Sequence, residues 1–491
     1  MPAPVTNTIS DDETHELVEL LRALIRLKSV NPPGDEILVA NFLEEIFASD
    51  GIASTVVEPF PGRGSIVARL LGDGTGGDPL LLLSHLDVVP AEPAGWSHDP
   101  FAADLVDGYV WGRGAMDMKG MVAMEAQVMR RLARVARKAG LNPATDRIPG
   151  LRRDVIFCST ADEEAGGWHG ADWIVREHPE WLHAAVAINE AGGIATTYGG
   201  IRFYPIQVAE KGFVVYNIHV KGRWGHGSVP TPDNAAVLAA QIVTRLAESG
   251  PVRLTEAMAA SLARALPHMA ARAAKVIAEL VADPASVEAA DIDRALRGLC
   301  DPVLARTISA VIRDTVSVGI VKAGVKYNVI PGTAEIVIDC RTLPGTDEPG
   351  MRAELRRRIG EELWARIDVE CEQTGASVQA PLDGPFYPVL EEVLRDHDPD
   401  GVPLPFLAPF ATDAKHLARL GIPTYGFSPL RVGPGDGLLD LMHGDDERVS
   451  VEALRFGLPV LWDAVLRICG DAQLVSTGTP AGDQRPGANA G

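Results

Sequence analysis

Apolar and polar positions follow two rhythms along this chain. Near the amino terminus Leu17, Leu20, Leu21, Leu24 and Ile25 recur at helical spacing, which predicts a helix over 13–28. Prolines 32 and 33 in SVNPPGDE cannot continue it, and a second helix is expected over 36–50. Short β-rich runs follow, SIVARLL and PLLLLSHLDVV. Met121, Met124, Val128, Leu132 and Val135 share one face of a helix predicted over 118–139. Then DVIFCST (154–160) reads as a strand, HGADWIVREH as a helix and AVAINE (185–190) as a strand. Strands alternating with helices imply a largely parallel sheet covered on both faces. In such sheets ligands collect outside the carboxyl ends of the strands.

The rhythm changes after Pro205. In FVVYNIHVKG the residues Val214, Tyr216, Ile218 and Val220 alternate with period two. A helix in DNAAVLAAQIVTRLAES follows, then an Ala/Leu-rich helical stretch over about 252–312. Strands at VSVGIV and TAEIVIDCR, a helix in GMRAELRRRIGEELW and a strand in RIDVECEQT complete the segment. Without the Ala/Leu-rich insert this is β-α-β-β-α-β, a split βαβ unit of ferredoxin-like type. The α/β pattern returns at about Ser377. The expected organisation is an α/β domain in two parts, 1–206 and 377–470, interrupted by an α+β domain at 207–376. A tail at 471–491, rich in Gly, Pro, Ala and Thr, is expected to be disordered.

Composition narrows the class. Against 45 Lys and Arg stand 66 Asp and Glu, a formal net charge of −21, so the basic footprint of a nucleic-acid binder is missing. No apolar run approaches the ~20 residues of a membrane span. The first residues lack the basic and apolar regions of a secretory signal. Five scattered cysteines without a CxxC read as reduced thiols of a cytoplasmic protein.

Five places put polar groups at strand ends or in loops. His85 and Asp87 sit inside LLLSHLDVVP (81–90), two apart and so on one strand face. They form either a metal site with an oriented imidazole or a hydrogen-bonded structural pair. Asp117 in WGRGAMDMKG opens the long helix, as an N-cap or as something the glycines bring close. Asp162, Glu163 and Glu164 in STADEEAGG follow a core strand, as solvated acids or as a pair dividing cation binding from proton transfer. Glu190 in AINEAGG and His443 in LMHGDDERVS complete the set. Two His and three carboxylates (His85, Asp117, Glu164, Glu190, His443) suit two Zn²⁺-like ions bridged by one carboxylate. Such ions share a water, lower its pKa and polarise a carbonyl, and Glu163 would carry the proton to the leaving amine.

HLDVVP, GRGAMDMKG, DEEAGG, NE, GHGS and HGDDER, in this order, resemble the co-catalytic zinc peptidase family of aminoacylase, carboxypeptidase G and succinyl-diaminopimelate desuccinylase. The resemblance implies a zinc-binding α/β domain with an inserted lid that also serves dimerisation. It implies that His85, Asp117, Glu164, Glu190 and His443 bind two Zn²⁺ ions, with Asp117 bridging and the Asp117–Met118 peptide cis. Co²⁺ or Mn²⁺ would also suit these N/O donors. Glu163 matches the general base and Asp87 the carboxylate behind the ligands. His226 of GRWGHGSVP matches a histidine that reaches the site of the partner subunit in a homodimer, where it stabilises the oxyanion. Asn328 in KYNVIPG and Arg341 in IDCRTLPG match groups that hold the substrate; for Arg341 the bland alternative is a salt bridge to Glu335 or Asp339. The chain departs from the family pattern at Lys415, where relatives carry Arg, and at Asp446, where Asn is common. The remaining histidines match no ligand position. The implied activity is hydrolysis of the amide of an N-acyl amino acid or short peptide with a free carboxylate. Dipeptidase or carboxypeptidase action and deacylation of a biosynthetic intermediate share the same motifs. A non-catalytic peptide- or metal-binding paralogue is the remote alternative; loss of a ligand or of Glu163 would favour it, and all are present.

Overall fold

The computed structural model describes residues 9–269, 271–284, 287–299, 302–433, 436–437 and 441–470. The tail expected to be disordered lies outside them. The chain divides into two compact units: residues 1–206, 383–403 and 416–491 form unit 1, and 207–382 with 404–415 form unit 2.

Unit 1 is built on a mixed sheet. Its strands run in the order Ser54–Phe60, Arg63–Leu70, Val155–Thr160, Leu80–His85, Val186–Asn189, Thr424–Gly426 and Ile201–Glu210, the last leading into unit 2. The centre is parallel: Leu80 pairs with Val155 and with Val186, and Thr424 with Ala187. These strands are buried at every position, as a parallel sheet covered on both faces requires. Leu81, Leu83, Ile156, Cys158 and Ala187 pack with Ile174, Leu182 and Leu417 in one apolar cluster. The helices expected from periodicity occur at Asp11–Arg26, Glu36–Ser49 and Lys119–Lys138. Ser10 and Glu13 form a reciprocal capping box at the start of the first. The last helix, Val451–Cys469, is capped by Ser450.

Unit 2 holds a four-stranded antiparallel sheet in the order Thr315–Ala323, Thr333–Thr342, Gly212–Lys221, Ile367–Gly375. Helices Ala235–Leu246 and Glu348–Ile359 supply Leu238, Ile242, Met351 and Leu355 to a core with Val214, Tyr216, Ile336 and Ile338. This is the ferredoxin-like arrangement read from the sequence. The Ala/Leu-rich insert forms helices Glu256–Ala265, Ala271–Ala282, Ala289–Leu299 and Pro302–Val311. Buried Lys211 ties its end down, donating from Nζ to Ala310 O and Arg313 O, both at 2.9 Å.

One boundary moves. The sequence places everything from 377 in the first domain, but 377–382 and 404–415 group with unit 2. Hydrogen bonds explain it: Thr412 N–H donates to Glu210 Oε2 at 3.0 Å, and Lys211 N–H to Ala408 O at 3.1 Å. No helix among the described residues is long and apolar enough to cross a membrane.

Candidate metal centre

Three parallel strands deliver polar groups to one end of the unit 1 sheet. His85 closes Leu80–His85, and Glu190 directly follows Val186–Asn189. Glu163 and Glu164 lie on a 3-10 turn, Glu163–Ala165, just beyond Val155–Thr160. His85 pairs with Thr160 and Leu82 with Ile188, so these ends are neighbours. Asp117 arrives from the loop before helix Lys119–Lys138, and His443 from the loop before strand Arg448–Ser450.

Asp117 is the pivot. Its Oδ1 lies 3.2 Å from His85 Nε2 and its Oδ2 3.2 Å from His443 Nε2. Glu190 Oε2 is 3.7 Å from the same His85 nitrogen, and Glu164 Oε2 is 3.1 Å from the same His443 nitrogen. Asp117 thus contacts both imidazoles, with Glu190 on the His85 side and Glu164 on the His443 side. The N-cap alternative for Asp117 does not hold: the helix is capped at Met118 without a side-chain bond, and the Asp117–Met118 peptide is cis. Gly114, at φ 90°, lets the loop pass against the strand end; a Cβ there would lie 2.9 Å from Val88 Cγ1.

Ligand atoms of His85, Asp117 and Glu164 lie within 4.8 Å of one another, and so do those of His85, Glu163 and Glu190. By distance alone Glu163 stands as near the cluster as a ligand.

The electrostatics describe a site short of positive charge. Burial disfavours an imidazolium at His85, yet Glu190, Asp117 and Asp87 raise its pKa well above the ordinary value. Asp117 and Glu164 push His443 up to about 10. Burial raises Glu190 to about 7 and raises Glu164 as well, with the Asp117 charge adding to both. Asp117 itself is held below the usual carboxylate range, because the two imidazoles outweigh its burial. Glu164 Oε1 is buried with no hydrogen-bond partner among the described residues. Three crowded carboxylates and two imidazoles in this state suit borderline divalent cations. The residues fit such a group: His85, Asp117, Glu164, Glu190 and His443 are the side chains that could hold it.

Buried side chains aim these ligands. His85 Nδ1 lies 3.1 Å from Asp87 O and 3.4 Å from Asp87 Oδ1, which turns Nε2 toward the cluster. Asp87 also accepts the N–H groups of Glu163 and Glu164, each at 3.1 Å, a cradle that sequence spacing did not reveal. Burial opposes its ionisation, but His85, Asn31 and the Glu164 N–H hold its pKa down. Glu447, another residue missed, is fully buried. Its Oε1 accepts from Met116 N (2.8 Å) and Asp117 N (3.0 Å), its Oε2 from Gly114 N (3.1 Å) and Arg113 Nη1 (2.6 Å). The signal available was its place in HGDDER, beside a candidate ligand. Asp446 clamps Ser97, accepting from its N at 2.6 Å and its Oγ at 2.8 Å. His416 reaches Gly166 O from Nε2 at 2.9 Å and steadies the glycines after the acid turn.

The other predicted residues belong to unit 2. His226 is exposed on the ladder that pairs Gly225–His226 with Val329–Ile330. Ser228 N–H donates to its Nδ1 at 3.2 Å, leaving Nε2–H as the donor of the ring. Asn328 lies alongside, its O accepting from Gly227 N at 2.8 Å, its buried Oδ1 without a partner among the described residues. Arg341 forks onto both oxygens of Asp339 at 3.0 and 3.1 Å, so the salt bridge anticipated as its alternative is present. Glu335 pairs instead with Lys322, at 3.5 Å. Lys415 is half-buried on helix Ala414–Leu417, its charge near the buried carboxyl of Glu210.

A family model described as peptidase family M20/M25/M40 matches residues 81–467. The chain is similar to human aminoacylase-1, 27% identical over 91% of this chain and 94% of that protein. It is similar to the N-fatty-acyl-amino acid synthase/hydrolase PM20D1 of Xenopus tropicalis, 26% identical over 91% of this chain and 84% of that one. Its fold matches an M20 family metallo-carboxypeptidase from Sulfolobus solfataricus with a TM-score of 0.65, at 16% identity, covering 93% and 99% of the two chains.

Proposed function

The chain belongs to peptidase family M20/M25/M40, whose members hydrolyse amide bonds with metal, and we propose that it is a dinuclear Zn²⁺ hydrolase of N-acyl amino acids. The observation that carries this reading is Asp117, with one oxygen 3.2 Å from each of two imidazoles, His85 and His443. Glu190 and Glu164 complete the two sides. When bound, the two cations supply Lewis acidity toward the carbonyl and acidify a shared water.

The protein supplies the rest. Glu163 takes a proton from the water and delivers it to the leaving nitrogen, which cannot depart as an anion. Asp87 holds the backbone of Glu163 so that its carboxylate stays at the reacting water. His226, with its proton on Nε2, donates to the oxyanion. Arg341 exchanges Asp339 for the substrate carboxylate, while Asn328 and Lys415 add donors; Lys in place of Arg at 415 keeps the charge and loses the fork.

Similarity to human aminoacylase-1 over nearly the full length favours N-acyl amino acids as the substrate class. A peptidase acting on short peptides is the second reading, favoured by the likeness to a metallo-carboxypeptidase. The expected result is chelator-sensitive hydrolysis of N-acyl amino acids, restored by Zn²⁺, on a panel that also contains dipeptides. Cleavage of dipeptides alone would select the second reading, and no chelator-sensitive hydrolysis on the whole panel would leave a binding protein. The same proposal places the enzyme in the cytoplasm, in keeping with free thiols at Cys340, Cys371 and Cys469; Cys300 lies outside the described residues.

The proposal includes a homodimer in which His226 serves the site of a second copy. The edge strand Thr315–Ala323, with Ile320 and Val321 exposed, offers a face for that copy. Glu163→Gln and His226→Ala, each inactive alone, are expected to regain about a quarter of wild-type activity when refolded together in equal amounts, because half of the dimers then carry one intact site. A mixture no more active than its parents would refute sharing of His226.

A further inference from the structure

Asn31 and Glu36 of NPPGDE (31–36) and Arg63 are not among the candidate ligands, yet all three are buried. We infer that Asn31, Arg63 and Glu36 form a positioning network that fixes Asp162 and Asp87 and thereby aims Glu163 and Glu164 in their separate directions. The inference rests on the base role proposed for Glu163.

Arg63, Glu36, Asp162 and Asp87 have side chains 7, 0, 4 and 0% exposed. Three carboxylates buried with one guanidinium are costly unless they are bonded. Asp162 and Asp87 are bonded through both oxygens and Glu36 through Oε1, while Glu36 Oε2 and Arg63 Nε have no hydrogen-bond partner among the described residues. Arg63 Nη2 meets Asp162 Oδ1 in a short contact and lies 3.1 Å from Glu36 Oε1. Its Nη1 donates to Asn31 Oδ1 at 3.2 Å and to Pro33 O at 2.7 Å. Asn31 passes the connection on, with Nδ2 donating to Asp87 Oδ2 at 2.8 Å and to Asp162 Oδ1 at 3.3 Å. Asp162 N–H donates to Glu36 Oε1 at 3.3 Å, and His169 N–H to Asp162 Oδ2 at 2.9 Å.

The network acts where direction is decided. Asp162 has φ 72°, a left-handed conformation that a non-glycine residue adopts only when its surroundings impose it. It turns the chain immediately before Glu163. The next two N–H groups then land on the two oxygens of Asp87, which Asn31 holds from the other side. Consecutive glutamates pinned in this way must send their side chains apart. A generic ion pair would not need the accompanying cradle. At Gly34 (φ 85°) a Cβ would fall 1.6 Å from Arg63 Nη1, so this position is bare to let the guanidinium through.

The test uses the metal-loaded protein with Asn31→Ala, the milder Asn31→Ser, and Arg63→Ala. Metal content, kcat and KM, and amide hydrogen exchange of the peptide over 161–166 are measured. The expected result is full metal content, KM within about twofold and kcat lower by about 10- to 100-fold. The Glu163 and Glu164 amides should exchange about tenfold faster or more, because their acceptor is no longer held. Millimolar guanidinium should restore part of the kcat of Arg63→Ala. Unchanged kcat with unchanged protection would overturn the inference. So would activity lost only in step with metal, or failure of even Asn31→Ser to fold, since the network would then be scaffold. A wild type inactive on every substrate, with loosened amides in Asn31→Ala, would defeat the hydrolase reading and leave the network standing.

Discussion

Glu163→Ala is expected to lower kcat by about 10²- to 10⁴-fold while both metal ions stay bound. The size follows from the chemistry, since without Glu163 the water keeps its proton and the leaving nitrogen receives none. KM should change little, because no contact proposed for the substrate involves this side chain. The experiment also decides between two roles that distance leaves open. Glu163 lies within 4.8 Å of ligand atoms on His85 and Glu190, close enough for a ligand. Loss of one ion from the variant would make it one. Wild-type turnover with metal in place would remove the general base from the mechanism.

Asp117→Ala is expected to abolish metal binding and activity together. Each half of the site keeps two other donors, but the variant loses the one carboxylate common to both and leaves His85 and His443 without the charge that sits 3.2 Å from each. By contrast, a variant that still bound two ions with near-normal affinity would refute the bridging role. The proton balance gives a second reading of the same site in the wild type. The carboxylates raise His85 well above its ordinary value and His443 to about 10, so at neutral pH the metal-free imidazoles carry protons. A cation must displace them. Apparent affinity should therefore rise with pH through neutrality toward 10 and fall in acid, with protons released on binding. Calorimetry in buffers of different ionisation enthalpy measures that release, and uptake without proton release would contradict it.

Three of the candidate ligands were legible as candidates because each sits where a strong pattern breaks. His85 interrupts a run of leucines, Glu190 ends an apolar strand, and Asp117 follows closely spaced glycines. Asn31, Arg63 and Glu447 were not legible in this way. Glu447 meets Asp117 across 330 positions and Arg63 meets Asp162 across 99, and no local period encodes partners so distant. The alternation of strands and helices was sufficient for the parallel sheet and for the ferredoxin-like unit. It missed the grouping of 404–415 with unit 2, which depends on the side chains of Glu210 and Thr412 rather than on rhythm.

Glu447 and His443 follow in sequence, by roughly 250 residues or more, the strand, loop and turn that they meet. On the ribosome roughly 250 residues are made between Glu190 and His443, which at about 5–20 residues per second is a wait of roughly 10–50 s. During that interval the loop bearing Asp117 lacks the Glu447 carboxylate that accepts its N–H groups at 116 and 117. The nascent chain then carries His85, Asp117, Glu164 and Glu190 without His443. If these residues hold two ions as proposed, loading of the complete site would follow translation of its first four ligands by that interval.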